Sequence, residues 1–134
     1  MSKSRNIKDI ITNKRAFFEY HIDEKIEAGL VLQGWEVKAI RAHRAQIQES
    51  YILIKNQECW LIGCHISPLP NTKSFGTQDP TRTRKCLLRK KEIEKLIGLQ
   101  KRQGFTIIPL RMYLHDNLIK IEIASAKGKK NYDK

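Results

Sequence analysis

The sequence predicts a mainly β protein, an antiparallel sheet wrapped into one small domain with two to three helices at its margins. Three observations carry this. Apolar residues mostly alternate with period two, the mark of half-buried strands. The strand-like runs come in neighbouring pairs joined by short polar turns, as antiparallel ladders require. A sustained helical period is clearest in one stretch, residues 90–103.

Taken in order, residues 1–12 read as a flexible arm. Ala16 to Ile22 alternates, with Phe18, Tyr20 and Ile22 on one side and Glu19 and His21 on the other, so a first strand is expected. Ile26 to Leu32 is a second, interrupted by Gly29, where a bulge or a close backbone approach is expected. Trp35, Ala39 and Ala42 then fall at helical spacing, with Lys38 and Arg41 on another face. Tyr51–Ile54 and Cys59–Ile66 predict a hairpin around residues 55–58, with Trp60, Ile62, Cys64 and Ile66 sharing one face. Residues 67–80 hold three prolines and Gly76 and read as a long loop.

Lys90 to Gln103 spaces Ile93, Leu96, Ile97 and Gln100 along one helical face, and Gly104 suits the stop. Phe105–Leu114 and Leu118–Ala124 form a last hairpin around His115, Asp116 and Asn117. Ile108, Leu110, Met112 and Leu114 point inward from one strand and Ile119, Ile121 and Ile123 from the other, while Lys120 and Glu122 point out. About six strands and two firm helices favour an antiparallel barrel like the oligonucleotide-binding fold over a flat α+β sandwich, although periodicity alone does not separate the two. The expected organisation is an arm (1–12), a single barrel domain (13–126) and a basic C-terminal end (127–134).

Composition narrows the function. A chain of 134 residues fits one domain. No stretch approaches the roughly 20 apolar residues of a membrane-spanning helix. The three cysteines, Cys59, Cys64 and Cys86, sit in apolar segments as reduced core thiols would, and the N-terminus lacks the apolar run of a secretory signal, so a cytoplasmic protein is expected. The net charge of +12 favours an anionic partner. It is unevenly spread: residues 81–102 carry 9 positive and 2 negative groups, more than half the excess. A solvated face mixes signs more evenly, so this segment reads as a phosphate-binding surface.

Catalytic signatures are missing. Cys59, Cys64 and His65 form a C-x4-C-H cluster without the second ligand pair of a zinc site, and packing explains it better. There is no phosphate-binding glycine loop, nucleophile elbow or paired-acid motif. A non-enzymatic protein without metal or cofactor is expected. The run from Pro80 to Lys91 is different: Arg82 and Arg84 fall on one side of an extended stretch, followed by Lys85 and the apolar Leu87 and Leu88. Arginine forks suit phosphate oxygens, and an exposed leucine suits a base or sugar. Lys127, Gly128, Lys129 and Lys130 form a second basic element, and Asn13, Lys14 and Arg15 a third. Glu27, beside Gly29, is the odd acid, able to pair with a cation or to accept from a base or a 2′-hydroxyl.

The ordered motifs N-K-R-A (13–16), E-A-G-L-V-L-Q-G-W-E-V-K (27–38), S-Y (50–51), H-I-S-P (65–68), D-P-T-R-T-R-K-C-L-L (79–88) and A-K-G-K-K-N-Y-D-K (126–134) resemble the SsrA-binding protein (small protein B) family of bacterial trans-translation. The resemblance runs from about residue 13 to the last. It implies an oligonucleotide-binding barrel, and as partner the tRNA-like domain of transfer-messenger RNA, escorted with elongation factor Tu into stalled ribosomes; a monomer is expected. It places RNA contacts on Asn13, Glu27, Leu87 and Lys120, with basic support from Lys14, Arg15, Lys38, Arg82, Arg84, Lys85, Lys127, Lys129 and Lys130. The family continues past Asp133-Lys134 with a basic tail that becomes helical in the empty mRNA channel. The sequence in hand stops there, so the expectation concerns the RNA-binding body, with tagging on the ribosome left in question.

Overall fold

The computed structural model describes residues 6–70 and 78–129. Along the chain run β1 (Ile7–Thr12), α1 (Lys14–Glu19), β2 (Tyr20–Leu30), α2 (Gly34–Arg41), β3 (Ala45–Gln46), β4 (Tyr51–Lys55) and β5 (Glu58–Ile62). They are followed by β6 (His65–Ile66), β7 (Arg84–Leu87), α3 (Lys90–Gln100), β8 (Phe105–His115) and β9 (Leu118–Gly128). Seven strands form one antiparallel sheet in the order β1-β8-β9-β2-β7-β5-β4, and β3 pairs separately with β6. The sheet curls until β4 packs against β8, making a partly open barrel.

The mainly β, antiparallel class expected from sequence holds, and several details differ. The expected arm is in part a strand: Ile7–Thr12 pairs with β8, from Ile7 opposite His115 to Thr12 opposite Arg111. A register shift between Asp9 and Ile11 breaks the alternation that would have marked it. The strand expected at 16–22 begins as helix α1, which Asn13 caps by accepting from the Ala16 N–H at 3.3 Å. Alternation of Phe18, Tyr20 and Ile22 was coincidental, since Phe18 is 79% exposed. Burial of Ala16 against Ile108, Leu110, Ala124 and Ala126 decides the helix instead.

The two apolar runs expected around 16–32 are one strand, β2. Its bulge lies between Ile22 and Lys25, not at Gly29, and the Glu24 N–H donates there to Ser125 Oγ at 3.2 Å. The bulge switches phase: Ile22 packs outward under α1, whereas Ala28 enters the main core. Gly63, at φ +82°, does the same after β5. Cys59 and Leu61 are therefore buried before it and Cys64 and Ile66 after it, and the expected single face of Trp60, Ile62, Cys64 and Ile66 is split.

Both hairpin turns have two positive-φ residues, Asn56-Gln57 and Asp116-Asn117, the form that matches strand twist. Helix α3 buries Leu96 and Leu99, with Ile93 and Ile97 half-buried and Gln100 exposed, so its core face is rotated from the one expected. No helix among the described residues is long and apolar enough to cross a membrane.

Candidate nucleic-acid interface

The outer face of β8, β9, β2 and β7 is covered by α1 at one end and open at the other. At the open end the registers align one row across four strands. Tyr113 faces Lys120, Lys120 faces Gly29, and Gly29 faces Leu87. The next row sets Arg111 opposite Glu122 and Glu122 opposite Glu27. Four elements distant in sequence thus deliver one patch.

Glu27 is its fixed point. Oε2 accepts from the Tyr113 hydroxyl at 2.6 Å and from His115 Nδ1 at 2.9 Å. Burial pushes this carboxyl up, but the hydrogen bonds from Tyr113 and His115, with the charges of His115 and Lys120, outweigh it and hold the group below its ordinary value. Burial and the Glu27 carboxylate push the Tyr113 phenol up, keeping it a donor. Arg111 stacks 4.3 Å above the Tyr113 ring and bridges Glu122 (3.0 Å) and Asp9.

Beside this polar part lies an apolar groove of about 320 Å³, lined by Leu32, Val37, Leu87, Leu118, Ile119 and Lys120. Leu87 is 52% exposed and Leu118 62%. Gly29 forms the groove's floor, where a Cβ would stand 3.3 Å from the Leu87 Cβ. A larger cleft of about 560 Å³ lies elsewhere, lined by Thr12, Gln46, Gln48, Glu49, His65 and Ser67. Among the described residues its lining holds no Lys or Arg for a phosphate.

The remaining predicted contacts are scattered, and two of the arginines are engaged within the fold. Arg84 is fully buried. Its Nε donates to Glu36 Oε2 at 2.8 Å, Nη1 to the Cys64 carbonyl at 2.6 Å and Nη2 to the Pro80 carbonyl at 3.1 Å. Arg82 donates to both oxygens of Glu36, at 3.1 and 2.5 Å, and to the Val31 carbonyl. The arginine pair therefore ties β7 and its approach to α2 instead of presenting forks to phosphate.

Asn13 is similarly engaged, nearly buried, with Nδ2 donating to the Pro109 carbonyl at 3.0 Å. Arg15 pairs with Glu19 and Glu49, and Lys85 with Glu58 beneath the Trp60 ring. Lys14, Lys38 and Lys127 are exposed, and Lys129 Nζ donates to the Phe17 carbonyl. Lys130 lies outside the described residues. The exposed cations of segment 81–102 are Arg89, Lys90, Lys91, Lys95, Lys101 and Arg102, the first three following Leu87 and Leu88.

Sequence reasoning passed over Tyr113 and His115 as partners of Glu27. The inward placing of Met112 and Leu114 already implied that Arg111, Tyr113 and His115 point outward, opposite Lys120 and Glu122. What it lacked was the register across β9 to β2.

Fold and face together define a small basic β-barrel protein with one open sheet surface, half apolar and half charged. The chain belongs to the SmpB family, whose profile, described as "SmpB protein", matches residues 10–134. It is 51% identical to the SsrA-binding protein of Coxiella burnetii (strain Dugway 5J108-111) over 134 residues, covering all of this chain and 84% of that one. It is 57% identical to the SsrA-binding protein of Thiobacillus denitrificans (strain ATCC 25259 / T1) over 125 residues, 93% of this chain and 84% of that one. A chain of the solved structure described as "tmRNA-SmpB: a journey to the center of the bacterial ribosome" superposes with a TM-score of 0.74 at 35% identity, covering 93% of this chain and 88% of that one.

Proposed function

We propose that this protein binds the tRNA-like domain of transfer-messenger RNA through the open face of β7, β2, β9 and β8, and delivers that RNA to stalled ribosomes for trans-translation. The observation that carries the reading is an exposed Leu87 set beside Lys120 and a fixed Glu27 carboxylate on a protein of net charge +12. An apolar side chain, a cation and an acceptor together match the base, phosphate and hydroxyl of an unpaired nucleotide. Arg89, Lys90 and Lys91 extend the phosphate-binding part, and Lys14, Lys38, Lys127, Lys129 and Lys130 add long-range attraction. Asn13, Arg82 and Arg84 act through the fold.

The protein works as a cytoplasmic monomer, without catalysing a reaction, in a delivery complex with elongation factor Tu. Family membership supports the non-catalytic part of this reading, and the solved ribosomal structure supports work at the ribosome.

Binding of a tRNA-like RNA fragment and of single-stranded DNA of equal length, measured against salt, tests the proposal. The RNA binds far more tightly, and affinity falls steeply with salt as counterions are released. Lys91→Ala lowers the salt slope by about one, whereas Lys55→Ala leaves affinity unchanged. Leu87→Ala weakens binding with little change in slope. Equal affinity for both polyanions would leave only a generic basic domain.

A further inference from the structure

Resting on that reading, we infer that Tyr113 and His115 are positioning residues that fix Glu27 as the acceptor for an N–H or O–H donor of the bound RNA. Glu27 is out of place on electrostatic grounds. A carboxylate on a surface built for a polyanion repels phosphate and weakens general attraction. Such a group improves discrimination only if it receives a donor that random phosphate backbone does not offer.

The geometry serves that role. Oε2 is occupied by two protein donors, Tyr113 OH at 2.6 Å and His115 Nδ1 at 2.9 Å. Among the described residues Oε1 has only the longer share of His115, at 3.2 Å, and the side chain remains 37% exposed. One oxygen is thus anchored while the other keeps acceptor capacity toward solvent. Anchoring removes beforehand the rotamer freedom that a long glutamate loses on binding.

The surrounding charges are consistent with an ionised acceptor. From β9, Lys120 acts on Glu27 favourably and Glu122 stands opposite it, with its own charge met by Arg111. From β8 come Tyr113 and His115, and Asp116 lies 3.9 Å from His115 Nε2. β7 contributes the uncharged Leu87, and Lys25 lies two residues back on β2.

The partner chemistry is a hydrogen-bond donor of RNA, either a base imino or amino group or a 2′-hydroxyl. Phosphate oxygens are excluded because they only accept.

The test is a double-mutant cycle on the full chain, with affinity for a tRNA-like RNA fragment as readout. Glu27→Gln and Tyr113→Phe each weaken binding, by about tenfold, as expected for one hydrogen bond to a charged group. Tyr113→Phe added to Glu27→Gln costs nothing more, and thermal melting of each variant verifies folding. His115→Ala follows the same pattern. In Tyr113→Phe the loss of affinity on acidification begins at higher pH than in the wild type, because the carboxyl has lost a donor. Replacing footprinted nucleotides one at a time by 2′-deoxy forms, or guanosine by inosine, tells the hydroxyl from the base amine. The replaced group is the one whose loss becomes silent in Glu27→Gln.

Equal cost of Tyr113→Phe in both backgrounds, or no cost beside a weakened Glu27→Gln, would overturn the positioning role and leave RNA binding standing. An unaffected Glu27→Gln, with Leu87→Ala still impaired, removes Glu27 and its two donors together.

Discussion

Arg84 and Glu36 form an ion pair at 2.8 Å in which both side chains are fully buried. The carboxylate is saturated: Oε1 accepts from the Gln33 N–H at 2.7 Å and from Arg82, and Oε2 from Arg82 and Arg84. One acid therefore caps α2 and clamps β7 to it. Removing one partner would strand the other charge, at a cost of about 3–5 kcal/mol. Arg84→Ala is expected to lower stability by that order in urea unfolding, while the folded fraction keeps its RNA affinity. A lost affinity with unchanged unfolding would return Arg84 to the interface.

Acid stability follows from the same group. Burial pushes the Glu36 carboxyl up, and the hydrogen bonds from Arg82, the Gln33 backbone and Arg84, with the charge of Arg84, more than reverse this, leaving it below its ordinary value of 4.5. A carboxyl depressed by folding stabilises the native state above its unfolded pKa, and that contribution is lost as pH falls through the folded one. The melting temperature should hold from pH 7 to about 5 and then drop. Glu36→Gln should melt lower at pH 7 and show a shallower acid drop.

Gly29 sets the depth of the apolar groove. In Gly29→Ala the new methyl meets the Leu87 Cβ at 3.3 Å, tighter than ordinary contact, so Leu87 must lean outward. Leu87 is half exposed and can yield, and the expected stability change is within about 1 kcal/mol. RNA affinity should fall more than melting temperature does. A methyl-resolved NMR shift at Leu87 would show the displacement directly.

Cys59 and Cys86 face each other across β5 and β7, and Cys64 lies beyond Gly63. All three thiols are buried. Burial pushes the Cys64 thiol up to about 11, and a hydrogen bond with Cys59 together with burial raises Cys86. The hydrogen bond with Cys86 lowers the Cys59 thiol, so burial alone shields that one. The native protein should resist alkylation by iodoacetamide at pH 8 and react three times over in urea, as mass spectrometry would show. Rapid labelling of the native form would place β7 in a more open arrangement.

The antiparallel class, the two hairpins, α2 and α3 were all legible, because turn chemistry and periodicity are local. Legibility failed where a single residue changed phase. Gly63 and the bulges in β1 and β2 shift the buried face, and period-two reading cannot register such a shift. It failed also at α1, where six residues settle on a neighbouring sheet and tertiary burial outweighs pattern. Arg84 shows the limit for sites: its basic neighbours Arg82 and Lys85 are only half-buried, whereas Arg84 is buried on a partner, Glu36, that lies 48 residues away. Glu27 and Leu87 stood out from their own residues and Lys120 through the family resemblance, but only the sheet register joins the three into one patch.

The β8–β9 turn of Asp116 and Asn117 has a consequence for the order of assembly. Two eleven-residue strands joined by two residues close at the lowest entropy cost a ladder allows. Tyr113, His115 and Lys120 are therefore brought together by a local pairing. Glu27 reaches Tyr113 only when a strand 86 residues away docks. The long-range pairing of β2 with β9 thus completes the Glu27 site, and the carboxylate is fixed only where that pairing has formed.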